Sequence, residues 1–304
     1  MRKGDITMPS VVALAVTVVI LLMAMIYFSN VQQAIDERIP YEKCRDSVYT
    51  AASFHTKLYD FPAKLNCPVR NVKIGDLSSE SSQREAKTRI AQSMMTCFNQ
   101  FGNGKLELYG GPGAYCQICD YVDFSDKKNT LAGMNSYLFS TKIPGSTKTY
   151  AESLAGVATF SNEVLSQLEK HKTADYIDPT KQDQYAVIFY HAKGRDSLDV
   201  FTDTLQTALI PAAGAIMGLG VMYTGGAVIA ASAWTGVAML QYTGVAVGGA
   251  LQFKGGLLAL GSMIPTVLST YVKSTPFQWY SSVWFVPLER NSLERMGCTE
   301  VRTK

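Results

Sequence analysis

The chain has 304 residues with 28 basic and 25 acidic side chains, a formal net charge of +3. That near balance excludes the strongly basic face of a nucleic-acid binder. Apolar residues make up 47% and charged residues only 17%, below the ~25% usual in soluble domains, which points to membrane segments joined to one folded domain.

The first ten residues carry Arg2 and Lys3 against Asp5, and a basic start predicts a cytoplasmic N-terminus. Val11 to Phe28 is then apolar and uncharged, long enough for one helical crossing. A secretory signal peptide is the rival reading. Its apolar region ends in a small-x-small cleavage site, whereas this run ends bulky at Tyr27-Phe28, so 11–28 is expected to be an uncleaved anchor. Lys3-Gly4-Asp5-Ile6-Thr7, followed by the apolar helix, resembles the class III, pilin-like signal segments of archaeal surface proteins. The resemblance covers residues 1–28 alone. It implies cleavage after Gly4 by a dedicated peptidase, retention of the apolar helix on the mature chain, and an archaeal envelope.

Residues 31–203 have ordinary polarity and are expected to form one extracytoplasmic domain. Pro40 should stop the anchor helix, and Tyr41 to Lys57, with Cys44, should form another. Cys67-Pro68 marks loop, and Val72 and Ile74 fit a short strand. The clearest element is a helix from Gln83 to Phe101. Ser82 and Glu85 have capping-box spacing, and Ile90, Met94, Cys97 and Phe101 form one apolar stripe that ends at Gly102. Lys105 to Tyr109 alternates like a strand before the loop Gly110-Gly111-Pro112-Gly113. Cys116-Gln117-Ile118-Cys119 follows that loop. Asp120 to Phe124 reads as extended, and Tyr185 to His191 as the best strand of the chain. Strands this scattered argue α+β rather than a βαβ repeat.

Thr204 to Phe253 contains no Asp, Glu, Lys, Arg or His. As a single helix it would measure ~75 Å, more than twice the hydrocarbon thickness of a bilayer. With the apolar piece Leu257 to Val272 it predicts a glycine-rich transmembrane helical hairpin over 204–272. Gly214 and Gly218, and Gly244 and Gly248, each put two glycines on one helix face, where backbones approach closely. Phe277 to Leu288, within a C-terminal segment 273–304, is rich in β-formers and should pair with the strand at Tyr185–His191. An even number of crossings between them puts both on the outside, giving three spans in all. The net positive tail is the argument for a fourth span.

The six cysteines are Cys44, Cys67, Cys97, Cys116, Cys119 and Cys298. Structural disulfides are the expected use, with 15 possible connectivities and a bridge from Cys97 to the 116/119 pair, tying helix to loop, as the chain-reach expectation. Two alternatives are open. A redox dithiol at Cys116 and Cys119 needs a depressed thiol pKa, which Asp120 and Asp123 work against. A zinc site needs a second pair of ligands, and His55, His171 and His191 lack that spacing. No catalytic residue, metal ligand or cofactor is expected. The sequence thus predicts a multi-pass envelope protein that acts through protein contacts. Its partners would be the lipid bilayer and either a second copy or other envelope proteins. A pore built on the glycine-rich hairpin and an extracytoplasmic thiol-disulfide protein are the alternative functions.

Overall fold

The structure is a computed structural model. It describes residues 8–54, 65–109, 111–156, 176–182, 184–194, 217–224, 227–234, 237–243, 258–260, 277–288, 296–298 and 300–302. The chain divides into two compact units, Met1–Lys43 and Cys44–Lys304.

The first unit is helical. Helix α1 runs Met8–Phe54, 47 residues with Pro40 inside it. Contrary to the sequence expectation, Pro40 does not end the helix. A proline removes one backbone hydrogen bond but fits helical φ, and the turns on either side are intact here. The last turns of α1 belong to the second unit. There Cys44, Val48 and Ala51 are buried at 0%, 0% and 2% exposure, spaced i, i+4 and i+7 along one helix face.

The second unit is α+β, as its sequence predicts. Its described elements begin with β1 (Arg70–Ile74), α2 (Glu80–Gln100) and β2 (Gly113–Phe124), followed by β3 (Leu131–Ala132), α3 (Met134–Ser140), α4 (Tyr150–Leu154) and β4 (Tyr176–Ile177). The remaining strands are β5 (Gln184–Lys193), β6 (Met217–Thr224), β7 (Ala227–Trp234), β8 (Val237–Thr243), β9 (Leu258–Leu260), β10 (Phe277–Pro287) and β11 (Glu300–Arg302). A nine-stranded sheet runs in the order β1-β2-β5-β10-β6-β7-β8-β9, and β11 also pairs with β2. β1 and β11 lie parallel to β2. The other neighbours along that order are antiparallel. Strand β10 therefore sits directly against β5, with Phe285 opposite Val187 and Ser281 opposite His191.

Helix α2 covers one face of the central strands. It begins one turn earlier than its sequence suggests. Ser79 is the N-cap and forms the capping box with Ser82, so Glu85 is not its partner. A run of serines offers several competent caps, and the one preceding Glu80 takes the role. The apolar stripe holds: Ile90, Met94, Cys97 and Phe101 are all fully buried. Phe101 stacks on Phe189 at 4.2 Å, and Tyr185 on Phe285 at 5.0 Å. These are offset-stacking distances, in which aromatic pairs gain beyond their buried area. Gly102, at φ 65°, takes the left-handed conformation that ends the helix.

Lys105–Tyr109 is not a strand, and the Cys116/Cys119 pair lies within a long strand rather than in a loop. The helical hairpin expected over 204–272 is not what its described residues form. They form β6 to β9, extending the sheet as an antiparallel meander. The physical reason is legible in composition. Glycine and β-branched residues are weak helix formers, and Gly225-Gly226 and Thr235-Gly236 separate successive apolar runs with short turn signals. Gly218 lies on β6 opposite Trp284 and Ala233, so it is not on a helix face. Gly214, Gly244 and Gly248 lie outside the described residues.

The entry to α2 is tied to the exit of β2 by one carboxylate. Asp126 accepts from the Asn129 side chain at 2.9 Å, the Lys128 amide at 2.8 Å and the Leu77 amide at 2.9 Å. Those donors, the Asn129 amide group first, hold its carboxyl well below the ordinary range. A carboxylate with a depressed native pKa stabilises the fold above its unfolded value of ~4, and that stabilisation fades as pH falls. The urea midpoint of Asp126→Ala should therefore lie furthest below that of the wild type near pH 7. The gap should narrow steadily between pH 5 and pH 2. A gap of constant size across that range would show that Asp126 acts only through its shape.

Candidate functional site

Strand β2 carries both cysteines of the Cys-x-x-Cys pair and a buried aspartate, Asp120. Side chains on a strand alternate between faces, so residues three apart point to opposite sides. Cys116 and Cys119 are such a pair. Cys119 bonds to Cys97 of α2, and Cys116 bonds to Cys298, which precedes β11. Both bridges span Cα–Cα distances of 5.7 Å, in the ordinary range. The third bridge, Cys44–Cys67 at 4.3 Å, fastens the end of α1 to the segment leading into β1. All six cysteines are paired. A redox Cys-x-x-Cys closes on itself, whereas here the two sulfurs are committed to different layers. Among the described residues no three His, Cys, Asp or Glu side chains cluster as a metal site.

The register of β2 against β5 shifts between Ile118 and Asp120, a bulge that leaves Cys119 as the extra residue. Its consequence is that Asp120, which strict alternation would send to the opposite face, joins Cys119 on the side of α2. There its carboxylate is fully buried. Arg70, directly opposite on β1, donates through Nε and Nη2 at 2.6 and 2.7 Å, and Ser93 of α2 donates through its hydroxyl. This is the bidentate guanidinium–carboxylate geometry that buried charge requires. Both carboxylate oxygens are occupied, so the group locks β1, β2 and α2 together rather than offering a base to a substrate.

A second polar cluster lies on β5 and β10. His191 is fully buried on the same face as Phe189, and its Nδ1 meets the Ser281 hydroxyl at 2.8 Å. Its ring lies 5.3 Å from that of Tyr109. On the opposite face, Trp284 donates through Nε1 to Ser282 at 2.6 Å. Tyr190 and Tyr280 sit 6.2 Å apart there, and burial pushes both hydroxyl pKa values up, so they stay neutral. All of these side chains are buried. His55 and His171 lie outside the described residues.

Sequence inspection pointed to the cysteines but missed Arg70, Asp120, Ser93 and Ser281. The available signal was an aspartate flanked directly by Cys119 and Tyr121 in a run rich in apolar and aromatic residues. Its partner lies fifty positions upstream, beyond any local pattern.

The first unit carries a different feature. Along α1 the large apolar side chains from Val16 to Phe28 stand open, from 48% exposed at Val18 to 68% at Phe28. Among the described residues no helix is long and apolar enough to cross a membrane. No protein-family model, curated protein or solved structure matches this chain.

Closing a loop of 22 residues stabilises by ~3 kcal/mol in the chain-entropy model, and closing one of 182 by ~5 kcal/mol. Denaturant unfolding should therefore rank Cys116→Ser/Cys298→Ser as more costly than Cys97→Ser/Cys119→Ser, and the reverse order would contradict the assignment. Arg70→Ala strands the Asp120 carboxylate and should cost about 2–3 kcal/mol, less than a fully buried pair because Arg70 is partly exposed. Adding Asp120→Asn should recover part of that loss, and strictly additive losses would mean the pair is not coupled.

Proposed function

We propose that the chain is a membrane-attached cell-envelope protein whose disulfide-braced sheet domain lies outside the membrane and acts through contacts with other proteins. The observation that carries the reading is the open apolar surface of α1, Val16 to Phe28. Isolated exposed apolar residues are ordinary, but a contiguous apolar stretch marks an interaction or lipid-facing surface. The sequence supplies the missing length, because the apolar run begins at Val11 and about 18–20 such residues suffice for one crossing. Three bridges among six cysteines fit an oxidising compartment, the side opposite a basic N-terminus. Cleavage after Gly4, as the pilin-like resemblance implies, would leave this apolar helix whole.

The uncharged run from Thr204 to Phe253 supports a second lipid contact. The described strands β6 to β9 argue against one made by helices. The channel reading rests on paired helix faces at Gly214 and Gly218 and at Gly244 and Gly248; Gly218 lies on a strand, which counts against the first pair, and the other three glycines lie outside the described residues. The thiol-enzyme reading needs Cys116 and Cys119 as one couple, and their sulfurs belong to separate bridges.

The reading is tested by labelling intact cells with a membrane-impermeant amine reagent. Lys73 and Lys181 are exposed and should be modified without permeabilisation, with the chain staying in the membrane fraction after a carbonate wash. Modification only after permeabilisation would put the sheet domain on the inner side. Release by carbonate would remove the anchor.

A further inference from the structure

We propose that the Cys116–Cys298 bridge is a redox latch: a dithiol opens it from Cys298 and releases strand β11 while the other two bridges stay closed. The inference does not rest on membrane attachment, because both cysteines belong to the unit beginning at Cys44. The three bridges differ in where their sulfurs lie. Cys44, Cys67, Cys97 and Cys119 all belong to the hydrophobic core, at 0%, 6%, 0% and 5% exposure. Cys116 is buried on the opposite face, outside that core cluster, and Cys298 is the one cysteine of the six that is partly exposed. Thiol–disulfide exchange needs a thiolate to reach one of the two bonded sulfurs. Cys298 offers that approach in the folded chain, whereas the other two bridges are reached only when the core itself opens.

Apart from the covalent bond, little holds the released segment. Among the described residues β11 pairs with β2 alone, Glu300, Val301 and Arg302 lying opposite Tyr115, Cys116 and Gln117. A run that short at a sheet edge has little stability of its own. Gly297, at φ 66°, turns the chain between the buried Met296 and Cys298, a conformation glycine adopts without strain. The strand can therefore leave about this point while Met296 stays packed. Strand β1 lies along the same edge of β2, at Asp120–Phe124, and its register does not depend on β11. In the exchange, a thiolate of the dithiol attacks Cys298 Sγ, the bond to Cys116 breaks, and its electron pair leaves on Cys116 Sγ, which takes a proton. The second thiolate of the dithiol then attacks the mixed disulfide and Cys298 leaves as a thiol. The dithiol ends as a disulfide, and the chain has gained two electrons and two protons.

The test is limited reduction of the full chain in neutral detergent with dithiothreitol, with alkylation at successive times, peptide mapping, and hydrogen exchange on the product. Cys116 and Cys298 should be alkylated together, at least about tenfold faster than either other pair. In guanidinium the order should collapse, because every bridge is then open to the reagent. The selectively reduced chain should exchange faster over 115–117 and 300–302 and at an unchanged rate over 90–101. Removing the dithiol should re-form the bond between Cys116 and Cys298. The proposal is overturned if another bridge opens first, if all three open together, or if the preference survives in denaturant. Unchanged exchange over 115–117, faster exchange over 90–101, or a reduced pair that fails to re-form would overturn it as well.

Discussion

On a β-strand, two cysteines separated by two residues are driven to opposite faces by the pleat itself, and the second unit of this chain depends on that constraint. Cys119 reaches into the helix-covered core and bonds to Cys97, while Cys116 turns to the other face and holds Cys298. One strand is thus fastened to the layer above it and to the C-terminal segment below it. The larger of the two closed loops includes β5 and β6 to β10, so the chain's end is returned to β2 across the whole uncharged run. A covalent tie there limits the unfolded chain most where the enclosed sequence is longest.

The bulge beside Cys119 connects this brace to the electrostatics. By shifting the alternation one residue, it brings Asp120 onto the face of α2, where Arg70 and Ser93 satisfy it. Without the shift the carboxylate would face the opposite side, among Ile118, Ile188 and Tyr190, all nearly or fully buried and offering no cation. A buried charge left unpaired is among the most costly defects a core can hold. Bridge, bulge and ion pair therefore form one arrangement in which each element requires the register of the others.

How much of this was legible in the sequence follows from the range over which each signal acts. The α2 stripe at Ile90, Met94, Cys97 and Phe101 obeys helical period, and it is buried as expected. The aromatic, β-branched character of Phe277–Leu288 and Tyr185–His191 led to the β5–β10 pairing, and the position of Cys97 led to its bridge with the 116/119 pair. The Arg70–Asp120 pair was out of reach because it depends on a one-residue bulge. The strands β6 to β9 were misread because a run without polar residues has no period, so length alone suggested helices. Pro40 was given too much weight, since a proline weakens a helix without always ending it. The alternation rule was available from the start for Cys116 and Cys119. The glycine-rich loop directly before them hides the start of the strand, because nothing in Gly110-Gly111-Pro112-Gly113 signals extended backbone.

The account rests most directly on the two-faced brace, and mass-spectrometric mapping of peptides from non-reduced full-length protein, trapped with an alkylating agent at low pH, reads it in a single measurement. The expected result is three linked pairs, Cys44 with Cys67, Cys97 with Cys119 and Cys116 with Cys298, and no alkylated cysteine. A peptide in which Cys116 is bonded to Cys119, with Cys97 and Cys298 alkylated, would contradict it and return the pair to thiol chemistry.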